Sequence, residues 1–193
     1  MTIVDLKQTV DTGASRVSPT LLRLAYRLSA ALGFGYGTMN RIIFSVLRSE
    51  AKEICYIQLS DGSKFSFVCS DKYWNVLLSP SHIYEPDIYH FLKKVRDIDF
   101  DFIDIGANHG YWSILASSAL LGSKKVISVE LDPDNYSTLS HHAEENSNRF
   151  ETLNAGIFDV DDAEVCISQG HHSTRHIMSA GSAQIENTGT IKV

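Results

Sequence analysis

Three features of this 193-residue sequence predict an α/β protein. From residue 100 onward the pattern alternates strand, helix, strand, helix, strand, which indicates right-handed crossover units on a parallel sheet. A short apolar strand, Phe102-Ile103-Asp104-Ile105, runs into a turn, Gly106-Ala107-Asn108-His109-Gly110, and a helical pattern begins at Tyr111-Trp112. A second strand, Val126-Ile127-Ser128-Val129, ends in Glu130, twenty residues past Gly110. The length fits one domain, or one domain with a small N-terminal attachment. The boundaries predicted are an N-terminal helical and hairpin region over 1–83 and a nucleoside-binding domain over 84–193.

Each element has its own signal. Residues 1–17 are polar and lack periodicity, as a loose terminus would. Ser18-Pro19 starts a helix, with Ser18 as cap and Pro19 at the first helical position. Leu21, Leu24, Ala25, Leu28, Ala31 and Leu32 then recur at helical spacing. Gly33, Gly35 and Gly37 interrupt that pattern. A second helix carries Met39, Ile42, Ile43, Val46 and Leu47 on one face. Arg23, Arg27, Arg41 and Arg48 lie across the two helices. They read either as a basic amphipathic surface or, being few and dispersed, as an ordinary solvated face.

A β-hairpin follows at 54–69 with Asp61-Gly62 at its tip. A two-residue turn there sets Cys55 opposite Val68 and Cys69 opposite Ile54, with Ile54, Tyr56, Phe65, Phe67 and Cys69 on one face. The thiols of Cys55 and Cys69 then fall on opposite faces, which argues against a bridge and for a reducing, cytoplasmic setting. After a loop containing Ser79-Pro80-Ser81, Tyr84-Glu85-Pro86 opens a helix with Ile88, Phe91, Leu92 and Val95 at helical spacing. Strands are predicted near 101–105, 125–130, 151–157, 163–168 and 189–193, and helices near 110–121 and 134–146. Gly122 ends the first of these helices. Asp132-Pro133 starts the second as cap and first-turn proline. Residues 169–188, rich in Gly, Ser, His and Asn, read as a loop.

Composition narrows the partners. Apolar residues make up 44% and charged ones 21%, ordinary values for a globular protein. A net charge of -6 gives no bulk attraction to nucleic acid or anionic lipid. No apolar run reaches the ~18 residues of a membrane span, and the N-terminus lacks a basic-then-apolar leader pattern.

The chemistry gathers at the strand ends. In open parallel sheets, ligands bind beyond the carboxyl ends of the strands, and Asp104, Gly106, Gly110 and Glu130 all belong there. Gly106 takes dihedrals that other residues resist. Amides at the start of the 110–121 helix suit a carboxylate, and Glu130 has the placement that grips two ribose hydroxyls. A dinucleotide fingerprint requires Gly-x-Gly-x-x-Gly. Counting from Gly106, Asn108 and Tyr111 occupy the other two glycine positions, which disfavours a pyrophosphate turn and a nucleotide-binding oxidoreductase. Asp104 suits a positive group such as the ammonium of methionine. The layout therefore favours S-adenosylmethionine.

On these residues the segment from Tyr84 to about Ser168 resembles the FkbM-type family of class I S-adenosylmethionine-dependent methyltransferases. The shared features are Tyr84-Glu85-Pro86, Ile103-Asp104-Ile105-Gly106-Ala107-Asn108-His109-Gly110-Tyr111, Val129-Glu130-Leu131-Asp132-Pro133, Asn154-Ala155-Gly156-Ile157 and the acidic turn Asp159-Val160-Asp161-Asp162. The resemblance implies a Rossmann-like class I methyltransferase core. It also implies O-methylation of a sugar, polysaccharide or secondary-metabolite hydroxyl, so that the partner is a small-molecule or carbohydrate acceptor. The cofactor contacts it implies are Glu85, Asp104, Gly106, Asn108, Gly110, Glu130, Leu131 and Asp159. Leu131 stands where the family usually has proline, and either packs on adenine. The family continues with a strand of the type Leu-Lys-Ile-Asp-Val-Glu-Gly, whereas this sequence stops at Gly189-Thr190-Ile191-Lys192-Val193. That departure predicts a core incomplete at its C-terminus, a truncated product or one completed by a partner, with catalytic groups unassigned and a non-catalytic remnant or binding subunit as the alternative.

Other readings stay open beside these. Asp104 and Glu130 also suit strand-end acids that cap turns. Asp159 fits either an adenine contact or a turn-forming acid. Tyr84 and Glu85 suit a pocket wall, and Glu85 equally suits a helix cap. His109 fits a substrate contact or an exposed loop. His171, His172 and His176 form the one histidine cluster, in a segment without the rigid frame and further ligands that a zinc site needs.

Overall fold

The computed structural model describes residues 9–11, 24, 27, 28, 31, 54–68, 71, 73–78, 83–157, 164–167, 177–179 and 189–192. The chain divides into two compact units, Met1–Ile98 with Ala119–Leu121, and Asp99–Ser118 with Gly122–Val193.

The first unit holds an antiparallel sheet of β1 (Thr9–Asp11), β2 (Ile54–Gln58) and β3 (Lys64–Val68), in that order. β1 corrects the reading of residues 1–17 as wholly irregular: Thr9 pairs with Gln58, Val10 with Ile57 and Asp11 with Tyr56. A three-residue strand is too short for periodicity to reveal, and its backbone is paired only because β2 offers an edge.

The hairpin register differs from the predicted one by a single residue. Ile54 pairs with Val68, Cys55 with Phe67, Tyr56 with Ser66, Ile57 with Phe65 and Gln58 with Lys64. The cause is the turn. Leu59 N–H donates to the Ser63 carbonyl at 2.8 Å, and Gly62 N–H donates to the Leu59 carbonyl at 3.0 Å. The loop is therefore three residues, Ser60-Asp61-Gly62, with Gly62 at φ 87°. That is the loop which ends in a left-handed residue and adds one position. Asp61 Oδ1 fastens it by accepting from Ser63 N–H at 3.1 Å and Ser63 Oγ at 2.7 Å.

One residue of slip exchanges the faces. Cys55, Ile57, Phe65 and Phe67 are buried together, while Tyr56 is exposed. Ile54 and Tyr56 do not join Phe65 and Phe67 as predicted. Cys55 is disulfide-bonded, which corrects the expectation that its thiol is unbridged. Cys69 itself lies outside the described residues.

A 3-10 turn, Trp74–Leu78, packs Trp74, Leu77 and Leu78 into this unit's core, where the sequence suggests loop. Asp71 Oδ1 starts it by accepting from the N–H groups of Tyr73 (2.7 Å) and Trp74 (3.2 Å). Helix α1 (Pro86–Lys94) follows as predicted, but it buries Tyr89 and Leu92 while Ile88 and Phe91 are exposed. Leu24, Arg27, Leu28 and Ala31 are helical, and their side chains are exposed, Leu24 and Leu28 included. The second predicted helix, over 39–47, and Arg23, Arg41 and Arg48 lie outside the described residues.

The second unit is the predicted α/β arrangement. β4 (Asp101–Ile105), β5 (Lys125–Glu130) and β6 (Glu151–Asn154) form a parallel sheet in that order. α2 (Tyr111–Ala116) connects β4 to β5 and is followed by a 3-10 turn, Ala119–Leu121. α3 (Pro133–Glu145) connects β5 to β6. This is the strand-helix alternation of a Rossmann-like half. Successive strands step in one direction, so right-handed crossovers place both helices on one face. Asp132 caps α3 by accepting from Asp134 N–H (2.9 Å) and Asn135 N–H (3.1 Å), with Pro133 in the first turn. Gly122, at φ 91°, ends the α2 segment. The opposite face carries exposed Ile103, Ile105 and Leu153.

The strands predicted near 163–168 and 189–193 are present as β7 (Glu164–Ile167) and β9 (Gly189–Lys192). They do not extend the parallel sheet. Together with β8 (Ile177–Ser179) they make a separate antiparallel sheet, ordered β8-β7-β9. β8 lies inside the stretch read as loop, which corrects that reading. A strand of Ile-Met-Ser amid Gly, Ser and His has no period of its own, and its pairing with β7 decides it. The third parallel strand, predicted to run to 157, ends at Asn154.

No helix among the described residues is long and apolar enough to cross a membrane.

Candidate functional site

The turn leaving β4 is built around left-handed backbone. Gly106 (φ 72°), Asn108 (φ 51°) and Gly110 (φ 82°) all have positive φ. Glycine reaches that region without strain, and Asn is among the residues that tolerate it. The N–H groups of Gly106 and Ala107 both donate to the Val129 carbonyl, at 2.9 and 3.0 Å. The turn is thus hooked over the end of β5. Asn108 Oδ1 accepts from His109 N–H at 2.8 Å, and Gly110 N–H donates to the Ala107 carbonyl at 2.8 Å.

The two glycines serve different ends. A Cβ on Gly106 meets nothing within 4 Å, so the backbone there borders open space. A Cβ on Gly110 would lie 2.5 Å from Leu139 Cδ1, a side chain fully buried in α3. Gly110 therefore permits close packing between the turn and α3.

Glu130 joins the turns at the strand ends. Its Oε2 accepts from Asn108 N–H at 2.7 Å, and its Oε1 accepts from Asp132 N–H at 2.8 Å. The residue is buried. Each carboxylate oxygen has a second lone-pair position, so the group retains acceptor capacity for two hydroxyls after both amides are satisfied. The turn-capping and ligand-binding readings of Glu130 are therefore compatible: the amides fix the carboxylate, and its remaining lone pairs suit a vicinal diol.

Asp104 is held from the helix side of the sheet. Ser113 Oγ, on α2, donates to Asp104 Oδ2 at 2.6 Å, and Ser128 Oγ, on β5, donates to Ser113 Oγ at 2.8 Å. Both serines are fully buried. This relay fixes one oxygen of the strand-end acid. Sequence reasoning missed Ser113 and Ser128, although their positions on the helix face of α2 and β5 were legible once the elements were placed.

The structure also bears on the dinucleotide alternative. Asn108 is left-handed, with its side chain turned back on His109 N–H. Tyr111 starts α2 and is buried at 3% exposure. Neither position offers the bare backbone that a pyrophosphate-binding turn needs. α2 itself is a six-residue helix, shorter than the predicted span of 110–121. His109 is tied by its backbone: His142 Nδ1–H, from a fully buried ring on α3, donates to the His109 carbonyl at 2.7 Å.

Asn154, at the end of β6, is a further residue of the site. Its Nδ2 donates to the Glu130 carbonyl at 2.8 Å and to the Leu131 carbonyl at 3.1 Å. Leu131 is buried at the turn. The signal for Asn154 was its place in the Asn-Ala-Gly motif at the third strand, a position that carries no side-chain role in the sequence reading.

Glu85 belongs to the first unit. It precedes α1 with φ 43°, and its side chain makes no capping bond, which removes the capping reading. Tyr84 packs against Tyr73 and Trp74, and the phenols of Tyr73 and Tyr84 are hydrogen-bonded to each other. Burial first, then the Tyr73 hydrogen bond and the neighbouring Tyr73 and Glu85, push the Tyr84 phenol well above its ordinary range. Asp159 and the cluster of His171, His172 and His176 lie outside the described residues. Among the described residues there is no group of His, Cys, Asp and Glu that would hold a metal ion.

No family model matches this chain, and no curated protein matches it in sequence. Among solved structures it is similar to Pyrococcus horikoshii TYW2 in complex with MeSAdo, at 16% identity and TM-score 0.38, over 66% of this chain and 50% of that one. A putative transferase from Pyrococcus horikoshii is similar at 16% identity and TM-score 0.38, over 63% of this chain and 48% of that one. The chain thus matches about half the length of these structures. Likeness of this degree leaves the reading of the site to the residues themselves.

Proposed function

We propose that this chain binds S-adenosylmethionine or its demethylated product at the carboxyl ends of β4 and β5, as the cofactor-holding part of a class I methyltransferase of FkbM type. The observation that carries the reading is Glu130. Two backbone amides fix its carboxylate, which keeps acceptor capacity for a ribose diol, beside a turn whose Gly106 borders open space. In this reading Glu130 binds the ribose, Leu131 packs against the adenine, and Gly106 and Asn108 line the adenosyl group. Asp104, with Oδ2 held by Ser113, directs its charge at the methionine ammonium. Glu85 and Asp159 are further contacts that the resemblance gives.

When bound, S-adenosylmethionine supplies a methyl group on a sulfonium, and the methyl acceptor is a sugar, polysaccharide or secondary-metabolite hydroxyl. The chain's contribution is positioning, which counts for most of the rate in a displacement between two held reactants. A cytoplasmic setting goes with the methyl donor; the disulfide at Cys55 gives it no support.

Calorimetric titration of S-adenosylhomocysteine into the 193-residue protein tests the proposal. Binding by the wild type, weakened by roughly a hundredfold or more in Glu130→Ala through loss of two charge-assisted hydrogen bonds, is the expected result. Equal affinity of the two proteins overturns it.

A further inference from the structure

We infer that Asn154 is a positioning residue for the ribose-binding carboxylate, acting through the peptide group between Leu131 and Asp132. The inference rests on the reading of Glu130 given above.

The geometry is a relay across one rigid plane. Asn154 Nδ2 donates to the Leu131 carbonyl at 3.1 Å. The N–H of the same peptide group belongs to Asp132, and it donates to Glu130 Oε1 at 2.8 Å. A trans peptide is planar, with its C=O and N–H on opposite sides. Holding the oxygen therefore aims the N–H. Asn154 also donates to the Glu130 carbonyl at 2.8 Å, to which Ala155 N–H donates at 3.2 Å. One side-chain amide thus spans two successive carbonyls and fixes both the backbone of the acid and the donor that sets its carboxylate.

Asn154 suits this task in a way its near relatives do not. Only a primary amide offers two N–H donors from one nitrogen on a short stem. Aspartate has the same shape and none of the donors. Placed at Asn154, its carboxylate would face the two carbonyls and add charge near Glu130. The side chain is exposed, so its removal leaves no cavity in a core. It is the last residue of β6, paired directly with Glu130, and this pairing brings it within reach. A residue that merely closed the strand end would need no bond to Leu131.

The test compares two ligands on two proteins. S-adenosylhomocysteine and its 2′-deoxyribose analogue are titrated into the wild type and into Asn154→Ala, with circular dichroism and melting confirming that both are folded. If Asn154 acts through the carboxylate, the variant weakens S-adenosylhomocysteine by about tenfold, the worth of one well-made hydrogen bond. The 2′-deoxy analogue, which lacks one hydroxyl for Glu130 to grip, then loses clearly less. Asn154→Asp shows the same pattern, more strongly. Unchanged affinity for S-adenosylhomocysteine, or a loss shared equally by the two ligands, overturns the role of Asn154 while leaving Glu130 in place. Failure of the wild type to bind S-adenosylhomocysteine overturns the reading of Glu130 and this inference with it.

Discussion

Glu130 Oε2 accepts a hydrogen bond from the backbone N–H of Asn108 at 2.7 Å, a contact that joins the end of β5 to the turn leaving β4. With the second bond, from Asp132 N–H, one buried carboxylate satisfies the backbone of two turns. Glu130 is therefore a structural residue before any ligand arrives.

The first prediction follows from that double duty. Glu130→Ala leaves two amides at the strand ends without their acceptor, and should cost about 2–4 kcal/mol in urea-unfolding stability. Glu130→Gln, which keeps an acceptor oxygen for one amide, should cost roughly half as much. If the alanine variant unfolds at the same urea concentration as the wild type, the carboxylate does not hold the turns.

Gly106 and Gly110 should separate binding from folding. Gly110→Ala places a Cβ 2.5 Å from Leu139 Cδ1 and keeps a residue at φ 82°, so a loss of about 3 kcal/mol or more is expected. Gly106→Ala meets open space and bears only the left-handed backbone, costing about 1–2 kcal/mol. The added methyl points where the adenosyl group is proposed to lie, so Gly106→Ala should lose S-adenosylhomocysteine while keeping most of its melting temperature. The reverse ranking of the two stabilities contradicts the assignment of Gly110 to packing.

The serine relay predicts non-additivity. Ser113→Ala deprives Asp104 of one donor and Ser128 of its acceptor at a fully buried site, at a cost of about 1–3 kcal/mol. Adding Ser128→Ala to that variant should cost little more, because its hydroxyl no longer has the Ser113 oxygen to donate to. A double-mutant cycle measures the coupling. Strict additivity of the two losses would show that the hydroxyls act independently.

The legible part of this molecule was the part that repeats a local rule. The apolar run ending at Ile105, the Asp132-Pro133 start of α3 and the spacing from Gly110 to Glu130 each follow from short-range preferences, and each element lies where they place it. The hairpin illustrates the limit. Asp61-Gly62 marks a turn correctly, but a loop of two residues and one of three share that signal, and the choice exchanged the buried and exposed faces around Cys55. β1 and β8 exist only through their pairing partners, which no local pattern names. At the site, the acids and glycines announced themselves by type and spacing. Ser113, Ser128 and Asn154 did not, because a serine or asparagine becomes informative only when its partner is known to lie within reach.

The last prediction concerns alkaline pH and Tyr84. Burial, Tyr73 and Glu85 favour the protonated phenol in the folded protein, raising its pKa above the ordinary value of about 10. A group raised in this way gives its full contribution to stability below the unfolded value, and that contribution is lost as pH rises above it, since the unfolded chain then gives up a proton that the folded chain retains. Two measurements check this on the wild type and Tyr84→Phe. Tyrosinate absorbance in the folded proteins should show no additional phenol ionising near pH 10 in the wild type. Stability to urea should fall more steeply in the wild type than in the variant above that pH. A difference titration that reveals an ordinary phenol would mean that Tyr84 is solvated and that its hydrogen bond to Tyr73 is not maintained in solution.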